Sequence, residues 1–245
     1  MKKLTNKVLL GTGLFIIIAG TILMLHLKSA ITEHKEKKVN QSKEEIQTKF
    51  ESKTISKNYN FDNFNQVDFR CNCNSVIKYK DTYEVKVEAP REVIDSKLLE
   101  VATEGETLKI ISSDWHNEVD SSKIKVVVFM PSITKLDISK SVSVKLSDFE
   151  LDDLDIQMAG ACKIDAENNN IDNLVLQSFG SSQALFKGSK VKNAKINAFG
   201  SSFVSITMDG GTLEGSIFGS GEVVYYGKLE KKDINTIGST QVIHK

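Results

Sequence analysis

The chain has 245 residues, 40% of them apolar, and carries 32 basic against 32 acidic side chains. That balance excludes the basic face a nucleic-acid partner would need. The three cysteines are too few, and odd in number, for a closed disulfide framework.

Residues 1–7 form a short basic leader with Lys2, Lys3 and Lys7. Residues 8–27, from Val8 to Leu27, carry no formal charge and include Leu14-Phe-Ile-Ile-Ile. At about 1.5 Å per residue such a run spans roughly the 30 Å hydrocarbon layer as a transmembrane helix. A cleaved signal peptide is the rival, but its apolar region is usually shorter, and His26-Leu-Lys-Ser-Ala lacks a small-x-small cleavage site. Lysines lie on both sides of the run, among them Lys28, Lys35, Lys37 and Lys38 beyond it. The short basic leader is therefore what places the N-terminus in the cytoplasm and the rest of the chain outside. The expectation is a single-pass protein of the cell membrane.

Residues 28–58 hold eight lysines and five glutamates, a composition that cannot bury a core and reads as a stalk. Residues 59–135 read as short strands without a repeat, such as Tyr83-Glu-Val-Lys-Val and Lys123-Ile-Lys-Val-Val-Val-Phe. Solenoids need atypical ends to hide unpaired strand edges, so this stretch is expected to cap a stack.

The stack itself is expected over residues 136–245. Gly160, Gly180, Gly200, Gly219 and Gly238 follow one another at intervals of 20, 20, 19 and 19 residues. Each is followed by a small residue: Ala161, Ser181, Ser201, Ser220 and Ser239. The residue before each is Ala159, Phe179, Phe199, Phe218 or Ile237, and an earlier copy has Lys140 in the glycine's place. Leu174-Val-Leu-Gln-Ser-Phe and Ala194-Lys-Ile-Asn-Ala-Phe alternate apolar and polar residues, as strands do. Asn168-Asn-Asn and Asp209-Gly-Gly mark a second corner about half a period on. About twenty residues with two corners suit one coil of a β-helix, each strand pairing with its equivalents above and below. The small residues after the glycines are read as a ladder at a tight inward corner. Glycosylation or nucleophilic catalysis is the rival reading of so many serines. Their lock to the repeat period argues for the structural role, and no Gly-x-Ser-x-Gly elbow is present.

The order of Phe64-Asn-Gln-Val-Asp-Phe, Tyr83-Glu-Val-Lys-Val, Gly105-Glu-Thr-Leu-Lys-Ile, Val126-Val-Val-Phe-Met-Pro and a closing Gly219-Ser-Gly-Glu-Val-Val-Tyr-Tyr-Gly resembles the head GIN domain family. Its members are described as heads of auto-transporter adhesins. The resemblance covers residues 61–245 and implies a right-handed, single-stranded β-helix in the cell envelope. Lys140, the membrane segment and the lysine-rich stalk depart from the family's pattern.

No chemistry-bearing motif stands out. The four histidines, His26, His34, His116 and His244, have no partner at metal-ligand spacing, so neither a metal nor a cofactor is expected. Cys71-Asn-Cys73 is a weak redox or metal signal, and Cys162 fills a slot held elsewhere by Ser182, Ser202, Gly221 and Thr240. A disulfide between Cys71 and Cys73, or from either to Cys162, is open. Asp148, Glu150, Asp152, Asp153, Asp155, Asp165 and Glu167 gather on early coils, where β-helical polysaccharide enzymes carry carboxylates. Charged outward positions solubilise any solenoid, however. Trp115, in a polar loop, is the one candidate ligand contact, with burial in the cap as its rival role.

The reading is a non-enzymatic, membrane-anchored, adhesin-like surface whose partner is an envelope protein or a glycan. The alternatives are an accessory of envelope stress or signalling that binds another membrane protein, and a carbohydrate-active enzyme.

Overall fold

The computed structural model describes residues 53–113 and 120–245. The segment 8–27, the stalk up to residue 52 and the Trp115 loop lie outside them. Among the described residues no helix is long and apolar enough to cross a membrane. Phe50–Lys245 form one compact unit, about 72% strand and wound as a β-solenoid.

Among the described residues, seventeen strands join in one sheet. In chain order they begin with β1 (Thr54–Tyr59), β2 (Gln66–Cys71), β3 (Asn74–Tyr79) and β4 (Glu84–Pro90). A one-turn helix α1 (Arg91–Asp95) leads to β5 (Leu99–Glu104), β6 (Thr107–Ser112) and β7 (Lys125–Met130). Then follow β8 (Lys135–Lys140), β9 (Ser143–Ser147), β10 (Glu150–Gly160), β11 (Lys163–Gly180), β12 (Gln183–Gly200) and β13 (Phe203–Asp209). The last are β14 (Thr212–Gly219), β15 (Glu222–Lys228), β16 (Lys231–Gly238) and β17 (Gln241–His244).

Two parallel columns run along the stack. One is β6, β2, β8, β10, β11, β12, β14 and β16. The other is β7, β3, β9, β11, β12, β13, β15 and β17. The long strands β11 and β12 serve both columns. Pairing is with the equivalent residue one coil away, as in Gly160↔Gly180 and Gly180↔Gly200.

The solenoid begins earlier than its repeats are legible. β2 and β3 form a coil, and so do β6 and β7, so much of 59–135 belongs to the stack rather than to a separate cap. These coils are out of chain order, because β2 lies between β6 and β8. The cap proper is antiparallel: β5 closes on β6, and β4 closes on β7 with β1 outside it. Reversed strands use up the edge hydrogen bonds that would otherwise template another chain.

Each full coil bends three times rather than twice. In β11, burial alternates along the strand but breaks into exposed pairs at 167–168 and 172–173, before the glycine corner at 179–181. The third bend carries an amide ladder: Asn193 Nδ2 donates to Asn173 Oδ1 at 3.1 Å, and Asn173 Nδ2 donates to Asp153 Oδ1 at 3.0 Å. Through β10 to β12 the strand continues across this bend, whereas one coil on Asp209-Gly210-Gly211 stands there, between Met208 paired with Val191 and Leu213 paired with Ala194, so these glycines share the Asp172-Asn173 bend and not the Asn168 corner. Inside, one continuous core runs from Phe64 to Tyr225, with Phe69, Ile77, Leu108, Ile138, Ile156, Leu176, Phe186, Ile196 and Ile206 almost wholly buried.

Candidate binding surface

The glycine corner governs what the solenoid displays. Gly160, Gly180, Gly200, Gly219 and Gly238 have φ of +115°, +113°, +115°, +125° and +105°, a region L-residues rarely adopt. A Cβ on Gly200 would stand 2.5 Å from the Gly180 carbonyl oxygen, so stacking and conformation both require glycine. Lys140 occupies the same corner at φ +73°, and its Nζ donates to the Ser112 carbonyl at 3.0 Å. One coil earlier the position is Cys71, paired with Lys140 and joined to Cys73 by a disulfide around the corner.

The small residues after the glycines do not point inward as expected. Ala161, Ser181, Ser201, Ser220 and Ser239 are exposed. The inward ladder is the next position, Cys162, Ser182, Ser202, Gly221 and Thr240, because the in-out alternation runs unbroken through the corner, with Ser178, Ser182 and Ala184 buried and Phe179 and Ser181 outside. This ladder hydrogen-bonds to corner carbonyls: Ser182 Oγ donates to Gly160 O at 3.1 Å and Thr240 Oγ1 to Gly219 O at 3.4 Å. Ser202 Oγ is paired with Ser178 Oγ at 2.9 Å. Cys162 is a free thiol whose pKa is raised, chiefly by burial.

The residue before each glycine also points outward, and here the surface becomes unusual. Phe179 and Phe199 lie with ring centroids 5.2 Å apart and planes 3° apart, and Phe199 and Phe218 lie 5.0 Å and 4° apart. Phe179 is 47% exposed, Phe199 40%, and Ile237 at the next rung 61%. Parallel stacking of this kind is worth about 0.5–1.5 kcal/mol per pair beyond area burial, but it leaves the ring edges in water. An apolar strip of this kind, rimmed by polar residues, is what interaction surfaces look like.

The strip has an ordered border. Two residues upstream in each strand stand Gln177, Asn197, Ser216 and Asn235, and two further upstream Val175, Lys195, Glu214 and Asp233, all in register. Lys195 Nζ and Glu214 Oε1 are 4.0 Å apart. The face is thus a grid with an apolar column, an amide and hydroxyl column, and a charged column. Toward earlier coils the apolar column gives way to Ala159 and Ser139.

By the cap lies an open groove of about 510 Å³ lined by Asn58, Tyr59, Phe61, Asp62, Asp81, Tyr83 and Glu84. Its carboxylates already have partners: Asp81 accepts from the Tyr79 hydroxyl, Glu84 from Lys80 at 3.0 Å, and Asp62 from Asn63 at 3.0 Å.

The acidic residues of the early coils do not converge. Asp148 accepts from Asn168 Nδ2 at 2.6 Å and meets Lys78 at 3.0 Å, and these contacts hold its pKa below the usual carboxylate range, the Asn168 bond foremost. Glu150 accepts from Asn170 Nδ2 at 2.7 Å, one coil away. Asp155 shifts upward instead, first because burial penalises its charge and further because Asp137 is near. No metal-holding group of His, Cys, Asp and Glu occurs among the described residues. His244 stacks on Tyr225 at 4.6 Å and its Nε2 lies 3.0 Å from the Gly227 carbonyl. Trp115 lies outside the described residues.

Residues 63–229 match the family described as "Putative auto-transporter adhesin, head GIN domain". Among solved structures, the chain is similar to a "putative adhesin" from Bacteroides fragilis, with TM-score 0.61 and 14% identity over 80% of this chain and 99% of that one. It is also similar to a "putative lipid binding protein" from Parabacteroides distasonis, with TM-score 0.52 and 18% identity over 80% of this chain and 98% of that one. No curated protein matches the chain.

Proposed function

Since the chain belongs to the head GIN domain family, we propose that it is a non-enzymatic binding protein of the cell envelope, held at the membrane by residues 8–27 and presenting the outer face of its solenoid to a partner. The observation that carries this reading is the stacked ladder of Phe179, Phe199 and Phe218, in which the first two rings are exposed and the third is half-buried. Rings fixed by stacking lose little entropy on binding, so they are pre-organised contacts. The early-coil carboxylates support a non-catalytic role, because Asp148, Glu150 and Asp153 are bound to asparagines of the next coil rather than gathered around a cleft. The uncharged run from Val8 to Leu27 supports the anchor.

Two measurements test the proposal. Cell fractionation should place the full chain in the membrane fraction and a chain lacking residues 1–28 in the soluble one. Full-length protein recovered from the medium with a new N-terminus near Ala30 would show a cleaved signal instead. Capture of envelope components by the full chain should be lost on changing Phe179 and Phe199 to Ser. Undiminished capture by a folded double variant removes the ladder from function.

A further inference from the structure

We infer that the ladder face is self-complementary and that its partner is a second copy of this chain. The inference rests on the reading of that face as a binding surface and names its occupant. The argument comes from the register of the grid. In β12 the outward residues are Lys195, Asn197 and Phe199; in β14, one coil on, they are Glu214, Ser216 and Phe218. The coils on either side present Val175, Gln177 and Phe179, and Asp233, Asn235 and Ile237.

Let two copies meet face to face about a two-fold axis parallel to the strands, midway between β12 and β14. This operation keeps position along the strand and inverts the order of coils. Phe199 then faces Phe218 of the second copy, Phe179 faces Ile237, Asn197 faces Ser216, Gln177 faces Asn235, and Lys195 faces Glu214. By symmetry every contact occurs twice, as an isologous interface requires. In the ring column apolar meets apolar, in the next amide meets amide or hydroxyl, and in the charged column Lys195 meets a carboxylate while Val175 lies against Asp233.

Other two-folds fail. An axis through β12 sets Lys195 on Lys195 of the second copy. An axis along the solenoid sets Phe199 against Lys195, exchanging the apolar and charged columns. An axis through β14 sets Glu214 on Glu214, and one midway between β11 and β12 sets Lys195 on Val175 and Glu214 on Asp155, so of these alignments the one between β12 and β14 alone gives Lys195 a carboxylate without a like-charge pair. Four coils at about 4.8 Å by six residues at about 3.3 Å give a face on the order of 400 Å² per copy. That is at the small end for protein contacts, so the association is concentration-dependent rather than obligate.

The test uses full chains carrying two different tags, co-expressed and captured through one tag. Wild type should bring down wild type. Lys195→Glu should fail to capture itself, since two glutamates then face each other at both symmetric sites, and Glu214→Lys should fail likewise with lysines. The loss expected is at least about tenfold. Lys195→Glu should nevertheless capture Glu214→Lys, because each glutamate then faces a lysine across the interface. Both positions are about half exposed, with side-chain exposures of 55% and 48%. Matched unfolding midpoints would confirm that the single variants fold. No self-capture by wild type, or capture in every pairing alike, overturns the inference. If wild type does not self-capture but the Phe179/Phe199 double variant still loses envelope capture, the binding face stands and only its occupant is wrong.

Discussion

At the scale of single residues, the corner glycines carry the sharpest consequences. Gly200→Val must either hold a β-branched residue at φ +115° or move the Gly180 carbonyl, which a Cβ would approach to 2.5 Å. The backbone strain costs about 1–3 kcal/mol, with crowding added. Lys195→Val, in the same strand but exposed, should change stability by no more than about 0.5 kcal/mol. Lys140→Gly relieves an L-residue at φ +73° while removing the bond to Ser112, so its midpoint should move little. Denaturant midpoints of the three variants check this ordering, and equal losses at Gly200 and Lys195 would contradict it. Titration gives a second check, because two carboxylates of one coil, Asp148 and Asp155, have opposite signs. Asp148 has a depressed pKa, so its contribution is present above the unfolded value near about 4 and fades as pH falls through the folded one. Asp155 has a raised pKa, so its charged form weakens the fold at neutral pH and the penalty disappears on acidification. Asp148→Asn should therefore be less stable than wild type at pH 7, with the gap closing in acid. Asp155→Asn should be as stable or more so at pH 7, its difference also closing in acid. Unfolding midpoints at pH 7 and pH 3 for both variants suffice to test the signs.

At the scale of the coil, polar ladders decide where the chain bends. Asn169 is buried; its Oδ1 accepts from Phe149 N at 3.0 Å, and its Nδ2 donates to Leu146 O at 3.0 Å and Ser189 Oγ at 2.9 Å. Asn169→Ala strands a backbone N–H and a carbonyl inside the core and should cost roughly 1–3 kcal/mol. Asn170→Ala, one residue away on the exposed side, loses only the contact with Glu150 and should stay within about 0.5 kcal/mol of wild type. Chemical denaturation of the pair measures the contrast, and similar losses would deny the buried ladder its role. The Gly corner and the Asn168-Asn-Asn corner were legible because both need left-handed backbone, which restricts residue type. The bend at Asp172-Asn173 was not, since from β10 to β12 it keeps strand geometry behind the polar pairs Asp152-Asp153, Asp172-Asn173 and Lys192-Asn193, and a glycine turn stands there only in the next coil, at Asp209-Gly210-Gly211. The serines after the glycines were placed on the wrong side for a related reason. Periodicity reveals that positions stack but not which way they face; the alternation that buries Leu174, Leu176, Ser178, Ser182 and Ala184 runs unbroken through the corner and puts Ser181 outside. The phenylalanines were visible as part of the period, and the same alternation, with Ser178 and Ala198 buried, places Phe179 and Phe199 outside.

At the scale of the molecule, the early coils show how a non-local arrangement hides from pattern reading. β2 and β6 are stacked neighbours although β4, α1 and β5 intervene, and the fourth and fifth strands leave the stack to seal it. That detour erases the period that 136–245 keeps. The stack also has unequal coils. β10, β11 and β12 are paired on both sides over buried residues, whereas β16 is exposed at seven of its eight positions and β17 pairs with β15 alone. In a solenoid each coil is stabilised by its neighbours, so opening is local and graded along the axis. Native-state hydrogen exchange should find the weakest amide protection in β16 and β17 and the strongest in β10 to β12. The corner amides sharpen the comparison, since Ser181 N donates to Gly160 O and Ser201 N to Gly180 O at 2.9 Å in the middle of the stack, as Ser239 N does to Gly219 O at 2.8 Å in its last coil. These are the same bond in length and partner type, so local geometry alone would protect them equally. Faster exchange at Ser239 than at Ser181 and Ser201 therefore measures the position of the coil rather than the strength of the bond. A single common rate across all three would mean that the coils open only together, and the graded account would fail.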